Sequence, residues 1–179
     1  MTLNSSFDKA FDAACRKLAA RMRTEKEIRL HLKKLGFDDE TTEAAVAELK
    51  NFRYIDDERY CREYFKYAKA KGKADARIVT ELAEKGISRE TARNVIEDVR
   101  DAEPEYRSDR QLAYETGLKL LHKQFEEGKE VDQKFLARVG RRLAGLGYDS
   151  GTIYSVLGKL RQDGRDETGS VSEDEKTYR

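Results

Sequence analysis

Apolar residues along this chain recur at three- and four-residue intervals, with polar residues filling the positions between them. The first run places Phe11, Ala14, Cys15, Leu18 and Met22 on one helical face. That spacing is the signature of amphipathic α-helices. Alternation of period two is absent over any useful length, so strands are not expected. Three later segments share one pattern: EIRLHLKKLGFDDETTEAAVAELK, RIVTELAEKGISRETARNVIEDVR and RVGRRLAGLGYDSGTIYSVLGKL. They align on Gly36, Gly86 and Gly147. Four and eight residues before each Gly lie Leu32 and Ile28, Leu82 and Ile78, Leu143 and Val139. Each Gly suits the left-handed conformation that ends a helix. An apolar residue follows (Phe37, Ile87, Tyr148) and then a helix N-cap former (Asp38, Ser88, Asp149). The apolar face returns ten and thirteen residues past each Gly, as Val46 and Leu49, Ile96 and Val99, Leu157 and Leu160. One helix stops and another starts, three times over.

Each pair is preceded by a further helix. The second such helix carries Tyr60, Tyr64, Phe65 and Ala68; the third carries Leu112, Leu118, Leu121 and Phe125. Thr24 with Glu27 reads as a capping box for the second helix of the first repeat. The expected fold is all-α, with three-helix repeats over residues 1–57, 58–104 and 105–162. Such small repeats bury little alone, so they are expected to stack into an elongated, curved, solenoid-like rod. Residues 163–179 carry no periodicity and read as a disordered polar tail.

Composition narrows the function. Charged residues make up 40% of the chain, yet 36 Lys and Arg against 35 Asp and Glu leave a net charge of only +1. A protein that held nucleic acid by its overall field would show a clear basic excess. Local patches or a protein partner must therefore supply the attraction. The start of the chain lacks the basic-then-apolar order of a secretion signal, and no apolar run reaches transmembrane length. Cys15 and Cys61 sit in apolar stripes and read as small buried hydrophobes. A cytoplasmic monomer without membrane attachment is the expectation.

No constellation points to catalysis. His31 and His122 stand alone, with no second His or Cys at metal-ligand spacing. No Gly-rich phosphate loop or nucleophile elbow occurs. Asp56 and Asp57 read as helix-start carboxylates that cap free N–H groups. The chain is expected not to be an enzyme and to need neither cofactor nor metal. The helix that follows each glycine turn, the third of its repeat, is acidic, mixed or almost uncharged in turn, which disfavours base reading in the manner of a helix-turn-helix. Basic residues cluster elsewhere: Arg16, Lys17, Arg21, Arg23, Lys26, Arg29, Lys33 and Lys34; then Arg62, Lys66, Lys69, Lys71, Lys73 and Arg77; then Arg138, Arg141 and Arg142. These read either as solvated helix faces or as a basic band facing an acidic partner or nucleoprotein. Tyr60, Tyr64 and Tyr67 fall near one face, where helical spacing favours packing over base stacking.

The segments AFDAACRKLAARMRTEKEIRLHLKKLGF, YIDDERYCREYFKYAKAKGK and RIVTELAEKGIS together resemble the RecX family of RecA modulators. The resemblance covers most of residues 8–100 and is weaker from 105 to 160. Two departures stand out. Arg53 precedes the Tyr of YIDD where that family usually has Gly, and KGKADARI replaces a Gly-Pro type stretch. The resemblance implies a regulator of recombination and DNA repair that binds RecA and its filament on single-stranded DNA. It would restrain ATP hydrolysis, strand exchange and coprotease activity, with weak direct DNA contact as a possible accompaniment. The residues expected to dock electrostatically are Arg21, Arg23, Arg29, Lys33, Lys66, Lys69 and Lys73. The alternative is an autonomous helical-repeat protein that binds nucleic acid directly.

Overall fold

The computed structural model describes residues 2–103 and 106–170, with side chains described from 6 to 165. Nine helices and no strand occur among the described residues. They are α1 (Thr2–Ala20), α2 (Glu25–Lys34), α3 (Asp39–Asn51), α4 (Asp57–Ala70), α5 (Asp75–Glu84), α6 (Arg89–Ala102), α7 (Asp109–Glu126), α8 (Gln133–Gly145) and α9 (Ser150–Ser170). The fold is all-helical. None of the described helices is long and apolar enough to cross a membrane.

The three junctions between second and third helices follow the glycine pattern. Gly36, Gly86 and Gly147 take φ of 88°, 94° and 91°. At the first, the Phe37 N–H donates to the Leu32 carbonyl (3.3 Å) and the Gly36 N–H to the Lys33 carbonyl (3.0 Å). Ile87 and Gly86, then Tyr148 and Gly147, repeat both bonds. These are the bonds of a Schellman ending, which satisfy carbonyls the helix leaves bare. Asp38, Ser88 and Asp149 then accept from the backbone three residues on, starting the next helix. The Thr24–Glu27 capping box forms in full at the start of α2.

By compactness the chain divides into two units. Unit 1 comprises Met1–Tyr67 with Val79–Pro104, and unit 2 comprises Ala68–Ile78 with Glu105–Arg179. In unit 1, α1, α2 and α3 pack mutually around Ala10, Ala14, Ile28, Leu32, Ala45, Val46 and Leu49. Full burial of an aliphatic side chain such as Ile28 or Leu32 contributes about 1.5–3 kcal/mol. In unit 2, α7, α8 and α9 enclose Leu121, Phe135, Leu136, Val139, Leu143, Val156 and Leu160, and Ala74 joins them.

Three details differ from the sequence expectation. Met22 lies beyond the end of α1 and is exposed. On α7 the buried positions are Ala113, Gly117, Leu121 and Gln124, while Leu112 and Leu118 are only half-buried. Gly117 lies under α9: a Cβ there would come within 2.7 Å of Leu160 Cδ1 and 3.2 Å of Val156 Cγ1. Finally, α9 runs on to Ser170, past the expected start of the polar tail. Its extension is anchored where Asp163 accepts from the Tyr114 hydroxyl (2.8 Å) and where Gly164 lies against Val131. Residues 171–179 of the expected tail lie outside the described residues.

Candidate docking surface

The first basic cluster lies on α1, the α1–α2 connection and α2, all within unit 1. Its members differ in what already neutralises them. Arg29 is the most committed. Its Nε and Nη2 donate to Glu43 at 2.7 and 2.9 Å, and Nη2 also meets Glu25 at 2.5 Å. The Glu43 bond, ahead of Glu25, holds its guanidinium well above the usual arginine range. Lys50 adds to Glu25 at 3.0 Å, so this set ties α2 to α3. Lys33 pairs with Asp39 at 2.9 Å on an exposed surface, an arrangement worth little in stability and open to exchange. Arg23 is half-buried, 3.9 Å from Glu27, with its Nε buried and without a hydrogen-bond partner among the described residues.

Arg21 is exposed, and so are Arg16 and Lys34; Lys17 is half-buried. None of these four has an ion pair among the described residues. His31 reports on their neighbourhood. Burial first, and then the charges of Lys17, Arg23 and Lys34, lower its pKa below the ordinary imidazole value. An uncompensated positive region thus spans α1 and α2. Leu30 and Leu35 are exposed in the same stretch, 50% and 54%, and sequence reasoning passed over both. The available signal was helical phase, since Leu30 stands opposite the buried Ile28 and Leu32.

The second cluster divides further. Arg62 meets Glu58 at 3.5 Å, and Lys66 meets Glu103 at 3.2 Å; both are surface pairs. Lys69 departs from the sequence reading. Its side chain is only 4% exposed, lying 2.5 Å from Asp75 and hydrogen-bonded to Asp109, so it cannot serve as a surface docking cation. Its Nζ also donates to the Lys73 carbonyl at 3.4 Å. Lys73 itself is half-buried. In the third group, Arg138 donates to Gln124 at 2.7 Å and lies over the Phe135 ring.

Asp56 and Asp57 both serve helix starts, as their position suggested, but not the same helix. Asp56, just before α4, accepts from the Arg59 N–H (2.8 Å) and caps that helix. Asp57 reaches across to the Glu25 N–H (3.0 Å) at the start of α2. The pattern repeats in unit 2, where Asp109, at the start of α7, accepts from the Asp75 N–H (3.0 Å). Tyr60, Tyr64 and Tyr67 line up along α4 with ring centroids 6.1 and 6.2 Å apart. Lys85 Nζ sits 5.7 Å over the Tyr60 ring, and the Tyr64 hydroxyl donates to Glu81 (2.6 Å). Burial and then that carboxylate push the Tyr64 phenol well above its usual range. Among the described residues no three His, Cys, Asp or Glu side chains gather as a metal would require.

Comparison with known proteins accords with this architecture. The family model described as RecX, first three-helix domain, matches residues 10–49, and that for RecX, second three-helix domain, matches residues 56–96. Regulatory protein RecX of Amycolatopsis mediterranei is 30% identical over 154 residues, covering 84% of this chain and 83% of that protein. Regulatory protein RecX of Bacillus velezensis is 28% identical over 161 residues; the match takes in 89% of this chain but 58% of that longer protein. The crystal structure of RecX from Lactobacillus salivarius superposes with a TM-score of 0.69 at 19% identity, over 89% of this chain and 99% of that one. That likeness shows the fold. The two three-helix matches and the Amycolatopsis relative place this chain in the RecX family of regulatory proteins.

Proposed function

We propose that this protein regulates RecA, binding the RecA filament on single-stranded DNA and restraining ATP hydrolysis, strand exchange and coprotease activity. The observation that carries this reading is membership of the RecX family. The protein acts by docking, not by chemistry on a substrate. Arg21, Arg23, Lys33 and the neighbouring Arg16, Lys17 and Lys34 supply the electrostatic attraction, with Lys66 and Lys73 as secondary contacts. The repeats are three-helix units over about residues 1–57, 58–104 and from 105 to the end of α9, and the chain works as a monomer in the cytoplasm.

A titration of RecA ATPase on single-stranded DNA tests this. Inhibition is expected at amounts of protein too small to coat the DNA, together with cosedimentation with the filament. No change in ATPase and no filament binding would sink the reading. Tight binding to bare single-stranded DNA with a steep salt slope, without any RecA effect, would favour the direct nucleic-acid reading instead.

A further inference from the structure

Three turns of the same build follow α2, α5 and α8, and two of them are occupied. In unit 1 the α5–α6 turn receives the first turn of α2. Thr24 Oγ1 donates to the Lys85 carbonyl at 2.7 Å, and Lys26 Nζ donates to the Glu84 carbonyl at 3.1 Å. The Lys26 stem lies flat on Gly86, where an added Cβ would come within 2.5 Å of Lys26 Cβ. Glu27, in the first turn of α2, pairs with Lys85 at 3.4 Å. In unit 2 the α8–α9 turn receives the first turn of α5 in the same manner. The Ala74 N–H donates to the Leu146 carbonyl at 3.0 Å, the Tyr148 hydroxyl donates to the Gly72 carbonyl at 2.8 Å, and Arg77 lies on Gly147. Leu146 is consequently only 7% exposed.

The third turn, Leu35–Gly36–Phe37 between α2 and α3, has the same backbone bonds and the same left-handed glycine. It is open. No described atom lies within 4 Å of a Cβ built on Gly36, and Leu35, at the position of Leu146, is 54% exposed. Lys34, beside it, is exposed and lacks an ion pair among the described residues.

We propose that this turn is a docking site for the first turn of a helix carried by the partner protein. The partner helix lays a small residue or a straight aliphatic stem over Gly36, covers Leu35, and presents a carboxylate to Lys34. Two features of this chain select that occupant. Both equivalent turns hold the start of a helix against the glycine. At the α5–α6 turn the first-turn acid Glu27 meets the cation Lys85; Lys34, one residue earlier in its own turn, is the cation within reach here, and carboxylates are favoured at helix starts by the helix dipole. The inference rests on the filament reading above and adds to it the contacting surface and the element it takes.

The test uses the full chain carrying Leu35→Glu, with Leu35→Met as the conservative control. Cosedimentation with RecA on single-stranded DNA and thermal melting are measured in parallel. Leu35→Glu is expected to melt like the parent, because position 35 faces solvent, and to bind the filament at least tenfold more weakly. Leu35→Met is expected to bind like the parent. A p-benzoylphenylalanine photocrosslinker placed at position 35 is expected to label RecA within the first turn of a helix. Equal binding by Leu35→Glu and the parent overturns the proposal, and so does labelling of a helix middle, of DNA or of a second copy of this chain. Should Leu35→Glu lower the melting temperature, the crosslink alone decides. A parent protein that does not bind the filament overturns the filament reading and this inference with it; a parent that binds while Leu35→Glu is indifferent overturns this inference only.

Discussion

Arg53 holds a left-handed backbone, φ 56°, and is the non-glycine residue with positive φ among those described. Its N–H donates to the Lys50 carbonyl (2.9 Å) and the Tyr54 N–H to Leu49 (2.8 Å), so it ends α3 as the glycines end α2, α5 and α8. A Cβ makes that conformation unfavourable by about 1–2 kcal/mol, part of which glycine's greater freedom when unfolded offsets. Arg53→Gly should therefore raise stability by about 0.5–1 kcal/mol, read as a higher urea midpoint. Lys69 argues the other way. Its ammonium is enclosed between Asp75 and Asp109, and Lys69→Met would keep the stem while leaving two partly buried carboxylates facing each other. A loss of about 2–4 kcal/mol is expected, allowing for the partial exposure of both acids, and urea denaturation measures it. Arg53 stood out in the sequence only as a departure from the resemblance to the RecX family, where Gly is usual at that place. Lys69 did not, because Asp109 arrives from 40 positions along the chain.

At the scale of elements, the three glycine turns form an experiment in themselves. All three have positive φ, so Gly→Ala strains the backbone equally at each. Their surroundings differ. A Cβ at position 36 meets nothing, whereas at 86 and 147 it strikes the stems of Lys26 and Arg77. Gly36→Ala should cost about 1 kcal/mol, from backbone strain alone. Gly86→Ala and Gly147→Ala should each cost about 1–3 kcal/mol more, because the docked helix start must move. Melting the three variants side by side checks the order; equal losses would mean the helix starts do not press on these turns. Helix order and the junctions were legible because i, i+4 stripes, glycine and cap residues act within one or two turns of chain. The α7–α9 crossing was not. It depends on Gly117 making room for Leu160 and Val156, and a small residue leaves no mark in an apolar pattern.

Over the whole molecule, net charge says little while the distribution of pairing says much. Burial pushes the Cys61 thiol up to about 11, and burial likewise raises Tyr64 and Tyr148, with carboxylates such as Glu81 and Asp109 adding to it. Each of these groups ionises more readily when unfolded. Their contribution is intact below the ordinary values of 9.0 and 10.0 and is lost as pH rises past them, so the melting temperature should fall progressively above about pH 9. Docking follows from pairing in the same way. Arg29 is held by Glu25 and Glu43 and spends its charge inside the fold, so Arg29→Glu should lower the melting temperature by breaking that set. Arg21 and Lys34 are exposed and without ion pairs among the described residues, so Arg21→Glu with Lys34→Glu should leave melting unchanged. The same double reversal should raise the protein needed for half-inhibition of RecA ATPase about tenfold or more at low salt, and by less at high salt, where screening shortens the reach of exposed charges. The contrast matters more than either variant alone. If Arg29→Glu weakened inhibition without affecting melting while the double reversal had no effect, the docking face would have to move from the α1–α2 surface to the side of α2 that faces α3.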